Sequence, residues 1–295
     1  MRRTMLNLGA ATLEKIVDID PFVLPADLLL PGCDLRELAN HADLLAPDHV
    51  DFAAPAILLS LHSFVLRIAG RIVLIDSCVG EDKPRPRRAD WHQRKGTGYL
   101  DRLGAAGLTP ADVDIVLCTH LHADHVGWNT KREDGRWVPT FPNARYVIGR
   151  RELDHWEAAE REAPGSHNHG AFADSVLPVI EAGLVERVDD GVSLFSGAEI
   201  VPLAGHSPGQ IGLDLRSRDG HHALFCGDAI HSPVQVFRPH WSSRFCFDKA
   251  AAGRLRQSLL ERAAEDDTLL LPAHLRGACG MRIVPDRDGF RPLMV

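Results

Sequence analysis

The sequence predicts an α/β fold, and three features of the chain support this prediction. Short apolar runs of the strand type alternate along the chain with longer segments of the helix type. The apolar share of 45% and the charged share of 25% are ordinary for a globular protein, which argues against disorder. A chain of 295 residues can bury a large core, so we expect one domain over 1–295, with an N-terminal extension over about 1–50.

The charge balance and the apolar pattern exclude several functional classes. The 33 Lys and Arg residues against 40 Asp and Glu give a formal charge of −7, which argues against nucleic acid as a partner. No apolar run approaches the roughly 20 residues that a membrane helix needs, so no membrane partner is expected. The N-terminus is interpreted as mature chain, because Glu14 and Lys15 directly follow its short apolar stretch. The six cysteines form no CxxC pair, which favours reduced thiols and a cytoplasmic protein.

The predicted elements follow from periodicity and turn residues. One short alternating strand is expected at 12–18, and a hairpin over 56–76 turns at Gly70. Further strands are predicted at 113–118, 144–148, 200–203, 211–215, 223–226 and 268–271, and helices at 99–106, 150–162, 171–182 and 249–264. The polar stretch 80–98 predicts a long loop, with two interpretations open: a solvated loop, or a lid that helps to bind an anionic substrate.

Histidine is the compositional outlier, with 16 residues, and its densest cluster predicts a metal site. His120, His122, Asp124 and His125 occur within six positions, directly after the predicted central strand 113–118. Neutral imidazole and carboxylate are the ligand types that zinc prefers outside thiolate sites. An extended backbone aims the first two histidines to one side, and the turn that follows aims the next two donors elsewhere. Ordinary structural roles do not explain four such donors in one turn.

Three further donors follow other predicted strands. His206 lies in GHSP, Asp228 in CGDAI and His274 after LLLPA. Ligands at the carboxyl ends of strands are where α/β folds build their sites. Together with the cluster they make seven, which is the number that two metal ions need when one carboxylate bridges them.

These motifs, in this order, resemble the metallo-β-lactamase-fold hydrolase superfamily over about 56–275. Within it the chain looks most like the N-acyl-homoserine lactonase and methyl parathion hydrolase branch. The resemblance implies a four-layer αββα sandwich, with two mixed sheets and helices outside. It also implies a first metal site of His120, His122 and His206, a second of Asp124, His125 and His274, and a bridging Asp228.

The expected activity is that of a dinuclear metal-dependent hydrolase that acts on a small molecule. A hydroxide shared by two divalent ions, zinc by default, would open a lactone or cleave an ester. We expect Asp124 to be a catalytic ligand that also shuttles a proton to the leaving group. His231 stands where lactonases of this type carry a substrate-contacting Tyr, so we expect it to donate a hydrogen bond or to form a pocket wall. Asp76 is predicted to orient a ligand histidine.

Several alternatives stay open at this point. Trp128, Asn129, His155, Trp156 and Trp241 are pocket candidates, with ordinary packing as the alternative for each. The same pattern also fits a phosphotriesterase or phosphodiesterase, a mono-iron enzyme of the persulfide dioxygenase type, or a binding protein without turnover. The sequence leaves the oligomeric state open, a homodimer included.

Overall fold

The computed structural model describes residues 5–287 and 289–295, so the first four residues of the N-terminal stretch lie outside the described part. The chain divides into two compact units. The first contains the residues up to Asp18 together with Leu61–Asp190, and the second contains Ile19–Ser60 together with Gly191–Val295. The single domain over 1–295 stays a prediction.

The first sheet is mixed. The first ten described strands are β1 (Met5–Asn7), β2 (Ala11–Pro25), β3 (Val50–Asp51), β4 (Ala56–Ile68), β5 (Arg71–Ile75), β6 (Ile115–Cys118), β7 (Thr130–Glu133), β8 (Arg136–Pro139), β9 (Arg145–Gly149) and β10 (Val185–Val188). The strand order of the first sheet is β1-β2-β4-β5-β6-β9-β10, with β3 paired to β4. Strands β5, β6, β9 and β10 run parallel, which places their carboxyl ends at one edge. Strands β7 and β8 form a separate hairpin.

The second sheet is also mixed. Its described strands are β11 (Ser193–Phe195), β12 (Ala198–Pro202), β13 (Ile211–Arg216), β14 (His222–Gly227), β15 (Leu269–Pro272), β16 (Met281–Asp286) and β17 (Gly289–Met294), paired in chain order. Only the β14–β15 pair among these is parallel, and all the other neighbours are antiparallel.

Helices connect and flank the strands. The described α-helices are α1 (Ala26–Leu29), α2 (Ala42–Leu45), α3 (Tyr99–Ala105), α4 (Ala123–Val126), α5 (Arg150–Glu162), α6 (Leu177–Glu181), α7 (Val234–Phe237) and α8 (Lys249–Asp266). Short 3₁₀ segments occur at Leu35–His41, Pro110–Asp112, Gly127–Asn129 and Asn168–Gly170, and a π-helical turn at Phe172–Val176. No helix in the described ranges combines the length and the apolarity that crossing a membrane requires.

Most of the predicted elements are confirmed to within two residues at each end. All four residues of β6 are buried, as its continuous apolar run predicts for a central strand. Helix α8 begins where the Asp248 carboxylate accepts a hydrogen bond from the Ala251 amide, at 2.8 Å. It ends at Asp267, which adopts a left-handed conformation.

The predicted helix 171–182 is confirmed as helical, but its first half is not an α-helix, and the alternating N-terminal strand is longer than predicted. The Asp174 carbonyl accepts hydrogen bonds from the Thr130 hydroxyl and the Lys83 ammonium, and side-chain donors of this kind compete with the helical ladder. A π-helical turn stands there instead. Strand β2 continues through the Pro-containing stretch as far as Pro25.

The loop 80–98 has no regular helix or strand, as predicted, and much of it is exposed, but the solvated interpretation is wrong for two of its basic residues. The side chains of Lys83 and Arg85 are fully buried, and Trp91 is buried as well. Buried cations require a partner, and Asp174 supplies it. The lid interpretation stays a prediction.

Candidate metal centre

The first group of donor side chains follows β6, in the first unit. His120 and His125 are buried, whereas His122 and Asp124 are partly exposed. The Nε2 atom of His120 lies 3.1 Å from Nδ1 of His122, and Nε2 of His125 lies 3.9 Å from an Asp124 carboxylate oxygen. The rings of His120 and His125 are 4.0 Å apart at their centroids. The structure therefore gathers all four donors of the motif at one strand end.

Asp76 orients this group from the end of β5. Its carboxylate accepts a hydrogen bond from Nδ1 of His125 at 2.9 Å, and two more from the amide and the hydroxyl of Thr119 at 2.8 Å each. The predicted contact between Asp76 and a motif histidine is confirmed. This bond leaves the Nε2 atom of His125 as the donor to a metal and fixes the direction of its lone pair. Asp76 has a φ of 56°, a conformation that Asp tolerates better than most residues.

The second group lies in the second unit, around Asp228, which follows β14. One oxygen of its carboxylate is 3.2 Å from Nε2 of His206, after β12, and 3.2 Å from Nε2 of His231. The other oxygen is 3.0 Å from Nε2 of His274, after β15. Three imidazoles therefore converge on one buried carboxylate.

A close backbone approach holds His206 in place. A Cβ atom at Gly205 would lie 2.8 Å from the backbone of Ala252 in α8, so only glycine fits before this histidine. The carbonyl of His206 accepts a hydrogen bond from the Phe247 amide at 2.8 Å. Its Nδ1 atom lies 3.6 Å from Sγ of Cys246, so the thiol contacts the ring nitrogen that faces away from Asp228.

His231 lies three residues after Asp228, and the sequence left two roles open for it: a hydrogen-bond donor to the substrate or a pocket wall. Its side chain is buried, its Nε2 atom faces the Asp228 carboxylate at 3.2 Å, and its Nδ1 atom has no hydrogen-bond partner among the described residues. Its amide donates to Oε1 of Gln235 at 2.7 Å, which fixes the turn after the ligand. Burial lowers the pKa of His231 below its ordinary value, and the Asp228 carboxylate acts in the opposite direction.

The donor chemistry fits divalent metal ions. Imidazole nitrogens of His206 and His274 lie 3.2 and 3.0 Å from the Asp228 carboxylate, and imidazole and carboxylate are donors that suit a divalent cation such as zinc. Burial raises the pKa of the thiols of Cys118 and Cys226 to about 12.

Two of the pocket candidates take part in packing. Trp128 is buried and stacks on Tyr99, with ring centroids 5.1 Å apart. Asn129 is fully buried and accepts a hydrogen bond from the Ser77 hydroxyl at 2.8 Å. Their contacts belong to the core of the first unit.

The other candidates stay closer to the donors or at the surface. Trp156 packs against the ring of His122, with centroids 5.7 Å apart, and His155 packs on Trp156. Trp241 is half-buried, and its carbonyl accepts a hydrogen bond from the Gln235 side chain. Trp156 is therefore the aromatic candidate placed beside a donor of the first group.

Two residues that hold the motif backbone were missed from the sequence. Glu152, in the first turn of α5, accepts a hydrogen bond from the Leu121 amide, and Asn168 bonds to both Leu121 and Ala123. Neither residue belongs to a recognisable motif, so no signal in the sequence marks them.

With this geometry established, comparison with known proteins identifies the family. The Metallo-beta-lactamase superfamily model matches residues 58–274. The chain belongs to this superfamily. The fold class predicted from the motifs, the metallo-β-lactamase fold with two mixed sheets and helices, is confirmed.

The individual relatives are distant. The N-acyl homoserine lactonase AttM of Rhizobium radiobacter is 25% identical over 186 residues, which cover 61% of this chain and 65% of that protein. The chain thus spans just under two thirds of the length of that relative. Two solved structures share the fold over 99% of this chain and 97% of their own: the hydrolase AbOPH, with a TM-score of 0.81 and 22% identity, and the dizinc quorum-quenching lactonase AidC, with a TM-score of 0.80 and 19% identity.

Proposed function

We propose that this protein is a metal-dependent hydrolase that opens a lactone or cleaves an ester with two divalent ions, zinc by default. The observation that carries the proposal is the placement of seven imidazole and carboxylate donors directly after β6, β12, β14 and β15, in the order typical of the superfamily. The proposed ligands are His120, His122, Asp124, His125, His206, Asp228 and His274. The lactonase names among the relatives support a lactone as substrate.

Asp228 is the ligand we assign to both ions. Nε2 of His206 approaches one oxygen of its carboxylate and Nε2 of His274 approaches the other, which supports Asp228 as the ligand that the two ions would share. When bound, two divalent ions would supply a water of lowered pKa and would polarise the scissile carbonyl. Because Asp228 is buried, its charge is weakly screened and contributes strongly to holding two dications.

Two side chains are proposed to act on the substrate. Asp124 is the partly exposed member of the first group, so its second oxygen can accept a proton and return it to the leaving group. His231 lies beside Asp228, with Nε2 3.2 Å from the carboxylate, and is proposed to donate a hydrogen bond to the carbonyl oxygen as negative charge develops there.

The experiment combines metal analysis with a substrate panel. Purified protein, incubated with zinc and desalted, is expected to hold about two zinc ions per chain and to hydrolyse lactones or aryl esters. Hydrolysis of phosphotriesters alone would contradict the proposed substrate class, and one iron per chain with oxygen uptake on a persulfide would contradict the proposed reaction. A fully metallated protein inactive on the whole panel would contradict the function altogether.

A matched pair of histidines supplies the control. His274→Gln is expected to lose metal and activity, because Nε2 of His274 is one of the donors around Asp228. His222→Gln removes a histidine of the same unit that bonds to Asp214 and Thr268, so it should keep both. Equal metal content in the two variants would contradict the ligand assignment. The cytoplasmic location and the homodimer stay predictions.

A further inference from the structure

The backbone of the metal-ligating turn 120–125 is held by two side chains from distant parts of the first unit. The Leu121 amide donates to Oε1 of Glu152 at 3.0 Å. The Ala123 amide donates to Oδ1 of Asn168 at 2.9 Å, and Nδ2 of Asn168 donates back to the Leu121 carbonyl at 2.6 Å. The two Asn168 bonds fix the peptide groups on both sides of His122, and the Glu152 bond fixes the peptide group between His120 and Leu121.

Asn168 makes its bonds from an unusual backbone conformation. Asn168, His169 and Gly170 all have positive φ values, of 46°, 56° and 77°. Such a run is unfavourable for the two non-glycine residues and persists only where the surroundings over-determine it. Residues of this kind cluster at functional sites, and asparagine tolerates this region better than most side chains.

A buried ion pair supplies the constraint on this run. One guanidinium nitrogen of Arg85 donates to the His169 carbonyl at 3.1 Å. The same guanidinium is held by the Asp174 carboxylate through two bonds of 2.5 and 2.8 Å. The loop 80–98 therefore braces the segment that presents the Asn168 side chain to the turn.

Glu152 reaches the turn from α5. It is fully buried, and the same oxygen that accepts the Leu121 amide also accepts Nε1 of Trp156 at 2.7 Å. The Trp156 ring lies against the ring of His122. Glu152 thus fixes the backbone before His122 and the aromatic wall beside its side chain.

We propose that Asn168 and Glu152 are positioning residues that set the metal affinity of the 120–125 turn. They touch neither substrate nor metal in this role and act through the peptide groups that carry His120, His122 and Asp124. Metal ligands must be held within a few tenths of an ångström, and groups that orient them typically alter metal affinity about 10- to 100-fold when removed. This inference rests on the proposed metal site.

The test uses Asn168→Gly, because glycine accepts the positive φ while it removes both side-chain bonds. Asn143→Gly is the matched control, since Asn143 is an exposed asparagine of the same unit whose side chain donates to the Ala111 carbonyl. Zinc affinity is measured by competition with a chromogenic chelator, and Co²⁺ alone serves as a spectroscopic probe of ligand geometry. Asn168→Gly is expected to bind zinc about 10- to 100-fold more weakly, with altered cobalt bands, and Asn143→Gly to match the parent.

Two substitutions at Glu152 test the proposal independently of Asn168. Glu152→Gln keeps an acceptor oxygen for the Leu121 amide and should retain most of the affinity, whereas Glu152→Ala should lose it by a similar factor. If Asn168 mattered only because asparagine tolerates a positive φ, Asn168→Gly would keep full zinc affinity. That result would overturn the proposal. If Asn168→Gly does not fold, equal zinc affinity in the two Glu152 variants overturns it. A parent that binds no metal would instead overturn the proposed function.

Discussion

Replacing Asp174 by Asn would leave two buried cations without the carboxylate that they share. Arg85 makes two hydrogen bonds to that carboxylate, and Nζ of Lys83 lies 3.9 Å from it. Both cationic side chains are 0% exposed. Lys83 is also positioned over the ring of Trp137, with Nζ 3.7 Å from the centroid.

The magnitude follows from the protonation states of the cluster. Removing one partner of a buried ion pair typically costs about 3–5 kcal/mol, because the other charge is left uncompensated. Burial lowers the pKa of Lys83 to about 7, and Asp174 is the nearby charge that works against this shift. Without Asp174 the pKa of Lys83 falls further. At pH 8 Lys83 is already mostly neutral in the parent, so Arg85 carries the charge that the substitution leaves unpaired. We therefore expect Asp174→Asn to lower the free energy of unfolding by about 3 kcal/mol at pH 8.

The loss of stability in Asp174→Asn should be larger at pH 6 than at pH 8. The unfolded chain binds the Lys83 proton up to about pH 10.4 in parent and variant alike. In the folded parent, Lys83 keeps its proton below about pH 7. In the folded Asp174→Asn variant, we expect Lys83 to have lost this proton already just below pH 7. The folded variant binds fewer protons just below pH 7, so its stability rises more steeply with pH than that of the parent. The difference between the two proteins therefore shrinks as the pH rises through 7.

Urea denaturation of the metal-free proteins at pH 6 and pH 8 measures this difference, because bound metal would add its own stabilisation. The control is Asp189→Asn, which removes the carboxylate of an exposed Arg150–Asp189 pair with similar bonds and should change stability little. Adding Lys83→Met to both parent and Asp174→Asn should abolish the pH dependence of their difference. Equal losses at the two pH values, or a loss no larger than that of the exposed control, would refute the reasoning.

The remaining predictions concern the metal centre. Asp228→Ala should empty both metal positions, whereas His274→Ala should weaken metal binding mainly at one of them. Elemental analysis that finds full metal in both variants would contradict the assignment of Asp228 as the bridging ligand. The hydrolysis rate should rise with pH near neutrality, because the attacking water must lose a proton. If chemistry is rate-limiting, a rate that stays constant from about pH 5 to 9 would argue against a metal-bound hydroxide as the nucleophile. His231→Ala should keep both metals and lose about 10- to 1000-fold in kcat/KM, with partial recovery in His231→Gln; loss of metal instead would make His231 a ligand.

The sequence by itself determined the features that depend on local order. The donors of the THLHADH turn are neighbours in the chain, so any fold that ends a strand before them brings them together. The strands before Asp228 and His274 were predictable from short apolar runs, because burial on both faces leaves a continuous pattern, whereas burial alternates along the strand before His206. The order of these motifs along the chain was enough to indicate the superfamily.

The tertiary structure decided what depends on groups far apart in sequence. The side chain of Asn168 bonds to a residue 47 positions earlier, and that of Arg85 to one 89 positions later. The sequence around Asn168 and around Arg85 has the composition of an ordinary surface loop. From the sequence alone, Lys83 and Arg85 could therefore be interpreted as solvated. Burial turned them into a cluster that needs a shared carboxylate, because a charge removed from water must be compensated by a nearby partner. Which distant side chain supplies that partner is fixed only when the chain folds.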